Sequence, residues 1–323
     1  MREISVDTIR DAASLIYDVA VRTPLVRLDL PGVHRPGASG PLEIYLKLET
    51  LQPIGSFKIR GAYNAVRRLS PAELKQGVWT VSAGNAAQGV ALAARTVGTP
   101  CSVMVIETAP QTKLRAIERL GASTVKASYD EAWRTVETRR SERMSGVFVH
   151  PFDDDRFISG NGTIGLEIVE DLPDVDAVVA PLGGGGLLAG IAAGMRALRP
   201  GARVYAAEPE TAAPLAASLE AGQPGYFPGW KASFVDGAGG KSVLPTMWPL
   251  LSGLTGSIVV SLDEVGRAMR EVADRVHVIA EGAAGCAVAA ALSGRAGSGK
   301  VVAVVSGGNI DLGTFAAVVG AGP

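Results

Sequence analysis

Short β-branched apolar runs alternate with longer stretches of helical periodicity through most of the chain. Segments 42–48 (LEIYLKL), 78–82 (VWTVS), 101–106 (CSVMVI), 176–180 (DAVVA), 203–207 (RVYAA) and 301–305 (VVAVV) read as strands. Between them, 85–97, 111–120, 129–143, 161–172 and 187–198 read as helices. Several of the strands are apolar along nearly their whole length, as expected where helices cover both faces of a sheet. This βα alternation predicts an α/β fold with open, mostly parallel sheets. Segment 222–248 breaks the rhythm with Gly222, Pro224, Gly225, Pro228, Gly229 and the glycines of 237–240. It reads as a long, ordered surface loop at a domain or subunit contact.

Composition narrows the classes of function. The chain has 323 residues, 47% hydrophobic and 20% charged, which is a globular balance. Lys plus Arg number 31 against 32 Asp plus Glu, so no electrostatic footprint for nucleic acid or an anionic membrane is present. Two cysteines, Cys101 and Cys286, exclude a disulfide framework and a four-thiolate zinc site. Three scattered histidines (His34, His150, His277) supply no histidine-rich metal site. The first residues lack the apolar core of a signal peptide, and no apolar run is long enough to span a bilayer. A soluble, cytoplasmic protein is expected.

The 40 glycines are informative through their positions. Gly183-Gly184-Gly185-Gly186 lies between a predicted strand and a predicted helix. Without Cβ atoms, successive N–H groups can wrap an anion, and the following helix N-terminus adds its dipole. The alternative is a tight turn under close helix packing. Gly184, Gly186 and Ala189 also satisfy a dinucleotide-binding pattern, with Glu208 ending the next strand where a ribose-binding acid would sit. A P-loop at Gly240-Lys241-Ser242 is weaker, because Val occupies position 235 where the earlier glycine belongs.

Lys58 opens a predicted helix after Pro53 and Gly55, facing the positive end of the helix dipole. A surface lysine tolerates that position; a buried one would have a lowered pKa, suited to Schiff-base chemistry. Two further glycine-polar clusters, Ser82-Ala83-Gly84-Asn85 and Ser306-Gly307-Gly308-Asn309, follow strands at their carboxyl ends, where ligands bind in open α/β sheets.

GSFKIRGA (55–62), SAGNAAQGVALAA (82–94), PLGGGGLLAG (181–190), EGAAG (281–285) and SGGN (306–309) together resemble the pyridoxal-phosphate enzymes of fold type II. Within them the chain is most similar to the threonine/serine dehydratases (ammonia-lyases) and serine racemases. The resemblance spans nearly the whole chain and displaces the dinucleotide reading, which has no use for Lys58 or the SGGN turn. It implies two open, mostly parallel twisted sheets covered by helices, like those of tryptophan synthase β. Residues 51–150 would form a small mobile domain, and 1–50 with 151–323 a large cofactor domain. It further implies pyridoxal 5'-phosphate as cofactor, a small amino-acid substrate and a homodimer or homotetramer.

By the same resemblance, Lys58 would carry the cofactor as an imine and move the substrate α-proton. Phe57 would lie beside the cofactor ring, and Asn85 would bond its hydroxyl. Gly183, Gly184, Gly185 and Gly186 with the Leu187 amide would hold the phosphate, Ser306 would meet the pyridine nitrogen, and Glu281 would sit near the ring. For Glu281 the alternative is an acid that merely complements a helix N-terminus. Ser82, Ala83, Gly84, Asn85 and Ala86 would receive the substrate carboxylate. A serine hydroxyl is a poor acid, so the pyridine nitrogen stays largely unprotonated, which favours loss of a β-substituent over a long-lived carbanion. The implied reaction is dehydration and deamination of a hydroxy amino acid such as L-threonine or L-serine. The alternatives are a related lyase or racemase with an unusual substrate in secondary metabolism, and a cofactor-binding regulator that has lost turnover. The chain ends soon after SGGN, so the short catabolic dehydratases are the closer match.

Three positions depart from the family pattern. Ala86 replaces a histidine of the dehydratases, which enlarges the pocket or changes its substrate. Ala83 replaces the serine that protonates the opposite face in serine racemases, which argues for elimination. The relatives' metal site uses an acid, a carbonyl and a second acid, here Glu208, Ala212 and Pro214. With the second carboxylate missing, no metal is expected.

Overall fold

The computed structural model describes residues 2–29 and 42–321; His34 lies outside them. Ten strands form among these residues: β1 (Leu25–Leu28), β2 (Leu42–Leu48), β3 (Val78–Val81), β4 (Cys101–Ile106), β5 (Ser123–Ala127), β6 (Val147–Phe148), β7 (Ala177–Pro181), β8 (Arg203–Pro209), β9 (Gly256–Val260) and β10 (Gly299–Val305). Six build one sheet in the order β1-β2-β10-β7-β8-β9, and four build a second in the order β5-β4-β3-β6. Every pair is parallel except β1–β2. The α/β class with two open, mainly parallel sheets is therefore the observed architecture.

The helices are α1 (Val6–Ile16), α2 (Lys58–Arg67), α3 (Pro71–Gln76), α4 (Asn85–Val97), α5 (Gln111–Arg119), α6 (Tyr129–Thr138), α7 (Asp155–Asp171), α8 (Gly186–Leu198), α9 (Pro214–Ala221), α10 (Trp248–Leu251), α11 (Leu262–Val276), α12 (Gly282–Leu292) and α13 (Leu312–Gly320). Strands β7 and β10 run through the middle of the larger sheet, and Val178, Val179, Val302 and Val304 are wholly buried there. Their burial on both faces explains the continuous apolar runs. Helix α12 (GAAGCAVAAAL) lies on this sheet; its small side chains allow close approach, and a Cβ on Gly285 would come within 2.7 Å of Met269.

Two helix boundaries differ from the pattern-based expectation by more than one residue. Helix α6 ends at Thr138 rather than 143, because Arg139 adopts the left-handed region (φ 59°) and closes the last turn. Helix α7 begins at Asp155, capped by the Asp154 side chain, well before 161. Its glycines hide the helical signal, yet they serve packing: a Cβ on Gly160 would meet the Arg60 carbonyl at 2.4 Å. Residues 222–247 carry no helix or strand, only an isolated bridge between Tyr226 and Ser242.

Candidate active site

Three loops leave the carboxyl ends of β3, β7 and β10 and converge on one cavity of about 460 Å³. Phe57, Lys58, Ser82, Ala83, Gly84, Asn85, Ala86, Gly183, Gly184, Gly185, Gly186, Leu187, Glu281 and Ser306 all line it. Every site residue expected from the sequence is thus brought to a single place, between the two sheets.

Lys58 is the first residue of α2, and the chain entering that helix is clamped by the SGGN turn. Phe57 N–H donates to the Ser306 carbonyl at 3.0 Å, and Gly308 N–H donates to the Gly55 carbonyl at 2.9 Å. Ser56 and Gly307 form an antiparallel bridge. The lysine Nζ donates to the Pro151 carbonyl at 2.7 Å and sits 5.2 Å from the Phe57 ring centroid. Burial lowers its pKa to about 8, against the opposing pull of Glu281. The neutral, nucleophilic form of the amine is therefore far more populated near physiological pH than in a surface lysine.

The turn that receives the Lys58 amine is shaped by His150. Its Nδ1 accepts the Asp153 N–H at 2.8 Å, and its Nε2 lies 3.2 Å from the Val136 carbonyl. Burial holds this imidazole well below its usual pKa. A neutral ring with hydrogen on Nε2 satisfies both bonds. Behind Lys58, on the other side of α2, Arg60 is fully buried between two carboxylates. It donates to Glu49 at 2.7 and 2.8 Å and to Glu167 at 2.6 and 3.0 Å, while Lys47 pairs with Glu167 at 2.6 Å. This network was not foreseen from the sequence; only the charges within apolar runs hint at it.

The glycine run fits both of its readings. Gly185 is left-handed (φ +90°) and forms the N-cap of α8, where no side chain caps the first turn. The N-terminus of α8 therefore opens to the cavity with its dipole available to an anion. Packing demands the glycines too: a Cβ on Gly184 would come within 2.2 Å of the Phe152 ring, and one on Gly186 within 2.4 Å of the Phe152 carbonyl.

Glu281 is the N-cap residue of α12, yet its side chain makes no capping bond. It turns into the cavity wall instead, accepting from Asn85 Nδ2 at 2.8 Å and from Asn309 N–H at 3.1 Å. Burial pushes its pKa up to about 7, helped by Asp236 and opposed by these hydrogen bonds. Asn309 also donates to Asn85 Oδ1 at 2.7 Å and to the Ile54 carbonyl at 2.7 Å. One network thus joins the β3 loop, the β10 loop and Glu281, so Glu281 does more than stand at a helix N-terminus. Asn309 was visible in the SGGN motif but had no role there.

The opposite wall is sparser. In the 82–86 loop, Gly84 N–H donates to Ser82 Oγ at 3.1 Å, and a Cβ on Gly84 would meet nothing within 4 Å. Lys113 and Asp236 form an ion pair, and Lys241 Nζ sits 4.1 and 4.3 Å from the Tyr129 and Trp230 ring centroids. The 222–248 segment supplies Asp236 and Lys241, so it is part of this cavity's wall; Lys241 points at aromatic rings, not into an anion cradle.

Glu208 lies apart from this cavity. Its carboxylate accepts the N–H groups of Leu215 and Ala216 at 2.8 Å each and the Ser257 hydroxyl at 2.5 Å. Three donors aim hydrogens where a cation would need lone pairs, and Pro214 offers no side-chain oxygen, so these residues do not fit a divalent ion. The same bonds occupy the acid that a dinucleotide ribose would require.

Comparison with known proteins agrees with this geometry. A family model described as pyridoxal-phosphate dependent enzyme matches residues 16–307. The chain is 39% identical to L-threonine ammonia-lyase of Thermotoga maritima over 323 residues, covering 99% of this chain and 79% of that protein. It is 40% identical to the serine racemase of Homo sapiens, covering 83% of this chain and 82% of the relative. Among solved structures, maize serine racemase superposes with a TM-score of 0.87 at 31% identity, covering 97% of this chain and 96% of that one. The chain belongs to the fold type II family of pyridoxal-phosphate-dependent enzymes, and its cofactor is pyridoxal 5'-phosphate.

Proposed function

We propose that this protein is an ammonia-lyase that removes the β-hydroxyl of L-threonine or L-serine and releases a 2-oxo acid and ammonia. Likeness to a threonine ammonia-lyase over nearly the whole chain supports this reading. The observation that carries it is the buried Lys58 amine sharing one cavity with the glycine loop and an 82–86 loop that has Ala83 in place of an opposite-face acid.

The residues fit the cofactor. The α8 N-terminus and its glycine cradle suit a phosphate, Asn85 offers a neutral partner for the ring hydroxyl and Ser306 one for the pyridine nitrogen, and Phe57 gives an apolar flank. Bound there, pyridoxal phosphate supplies an electrophilic carbon and a conjugated ring that acidifies the substrate Cα–H. The protein's part is positional and protonic. Backbone N–H groups of Ser82–Ala86 hold the substrate carboxylate, and Lys58 takes the proton at Cα. Ala83 offers no acid on the opposite face, so the chain's residues favour elimination over racemisation. Glu281 stays close to Asn85, keeping its amide oriented.

The segment 51–150, which contains the four-stranded sheet, serves as the small domain in this reading, and 1–50 with 151–323 as the large one. No helix among the described residues is long and apolar enough to cross a membrane. A cytoplasmic homodimer or homotetramer is the associated proposal.

The test is direct. Holoenzyme is incubated with L-threonine and L-serine while 2-oxo acid, ammonia and the D-isomers are measured by enzymatic assay and chiral chromatography. Stoichiometric 2-oxo acid and ammonia are expected, with little D-serine. Fast formation of D-serine without pyruvate would replace the lyase reading with a racemase.

A further inference from the structure

Helix α6 presents Tyr129, Ala132, Trp133 and Val136 to the active cavity, a face at positions i, i+3, i+4 and i+7. Its charged residues Asp130, Arg134 and Glu137 are exposed. An apolar helical stripe normally spends itself on a protein core; this one borders the space where substrate must lie. We propose that this face is the wall against which the substrate side chain packs, and that it selects uncharged side chains and favours an apolar group, such as a methyl, beside the β-hydroxyl. The proposal rests on the ammonia-lyase reading and deepens it to a substrate class.

The charge inventory of the cavity points the same way. Its charged lining residues are Lys58, Lys113, Asp236, Lys241 and Glu281. Lys58 and Glu281 are engaged at the cofactor end. Lys113 and Asp236 neutralise one another, and Lys241 is held over two aromatic rings. None remains to receive a charged substrate side chain, which would be desolvated against Trp133 and Val136 without compensation. Ala86, where related dehydratases carry histidine, leaves that side of the cavity small and apolar as well. The Trp133 indole N–H is buried and has no acceptor among the described residues.

Two measurements on the holoenzyme test this. The first is equilibrium binding of amino acids that carry no leaving group, followed by the change in cofactor absorbance. L-2-aminobutyrate is expected to bind at least about 100-fold more tightly than L-aspartate. The second is the ratio of kcat/KM for L-threonine over L-serine. Trp133→Ala is expected to lower that ratio by about tenfold, through KM for threonine, because one methyl contact is lost. Trp133→Phe, which keeps an apolar ring, is expected to restore most of it. Equal binding of aspartate and aminobutyrate would overturn the proposal. So would a Trp133→Ala enzyme in which both substrates decline equally, since that is the mark of a merely structural tryptophan. Should no hydroxy amino acid yield a 2-oxo acid, the ammonia-lyase reading falls, while the binding order still decides whether α6 selects apolar side chains.

Discussion

The two walls of the cavity are built by different physics. On the six-stranded-sheet side, the glycine loop, the SGGN turn and Glu281 are locked by backbone contact. The SGGN turn pairs with the entry to α2, Phe152 leaves no room for a Cβ on Gly184 or Gly186, and Asn309 bonds two loops at once. On the four-stranded-sheet side, the 82–86 loop and α6 offer open space and apolar side chains, with Gly84 facing nothing within 4 Å. A wall made of close backbone approaches tolerates almost no substitution. A wall made of side chains around free volume can be retuned one residue at a time. The first suits the phosphate end of an invariant cofactor; the second, Asn85 apart, suits a substrate that differs between relatives.

The largest expected effect breaks the chemistry that both walls serve. Lys58→Ala should lower turnover by at least about 10³-fold and remove the imine absorbance band, both read on purified protein. Next is the support behind the rigid wall. Arg60→Met leaves Glu49 and Glu167 buried without their shared cation, and should cost about 3–5 kcal/mol in a urea titration. A loss under about 1 kcal/mol would mean that the network relaxes and does not anchor α2.

A smaller effect is expected from pH in the cofactor-free protein. The folded Lys58 amine titrates near 8 and the unfolded one near 10.5, so between these values the folded state binds fewer protons. Stability contributed by this group therefore rises with pH across that window. Glu281 does the reverse: its folded pKa of about 7 exceeds the ordinary 4.5, so its contribution falls as pH rises between the two. Thermal melts of Lys58→Met and Glu281→Gln should flatten the respective windows. The smallest effect concerns Glu208. Chelator and millimolar magnesium should leave melting and activity unchanged, because protein donors already occupy that carboxylate. A melting temperature that drops on chelation and recovers with calcium would refute this.

The contrast between the walls also explains what could be read from the chain alone. The rigid wall is legible because contact with backbone demands glycine, and glycine runs after strands are visible in a sequence. Lys58, the glycine loop and Ser306 were singled out by those signals together with the family resemblance, and the fold brings them to one cavity. The start of α7 was missed because its glycines mimic a loop while serving helix packing. The α6 face and the Phe152 contact were missed for another reason: Trp133 and Phe152 look like ordinary core residues until the fold shows a cavity beside them. The Asp236 and Lys241 contributions came from a segment read as a loop at a domain or subunit contact, with Lys241 weighed only within a weak P-loop pattern. Long-range partners such as Arg60 with Glu167 leave only charges within apolar runs, which do not name the pairing.

The division of labour between the walls is tested most directly by two single substitutions compared in one measurement of separate affinities. Gly186→Ala would place a Cβ 2.4 Å from a backbone carbonyl in the rigid wall, whereas Gly84→Ala would place one in open cavity. Cofactor dissociation constants are measured by equilibrium titration, and substrate KM under saturating cofactor. The account predicts that Gly186→Ala weakens cofactor binding at least about tenfold, with little change in KM. Gly84→Ala should instead raise substrate KM and leave cofactor affinity and melting temperature nearly unaltered. Matching losses of cofactor affinity in both variants, or a Gly186→Ala enzyme that binds cofactor normally, would contradict the assignment of cofactor and substrate to separate walls.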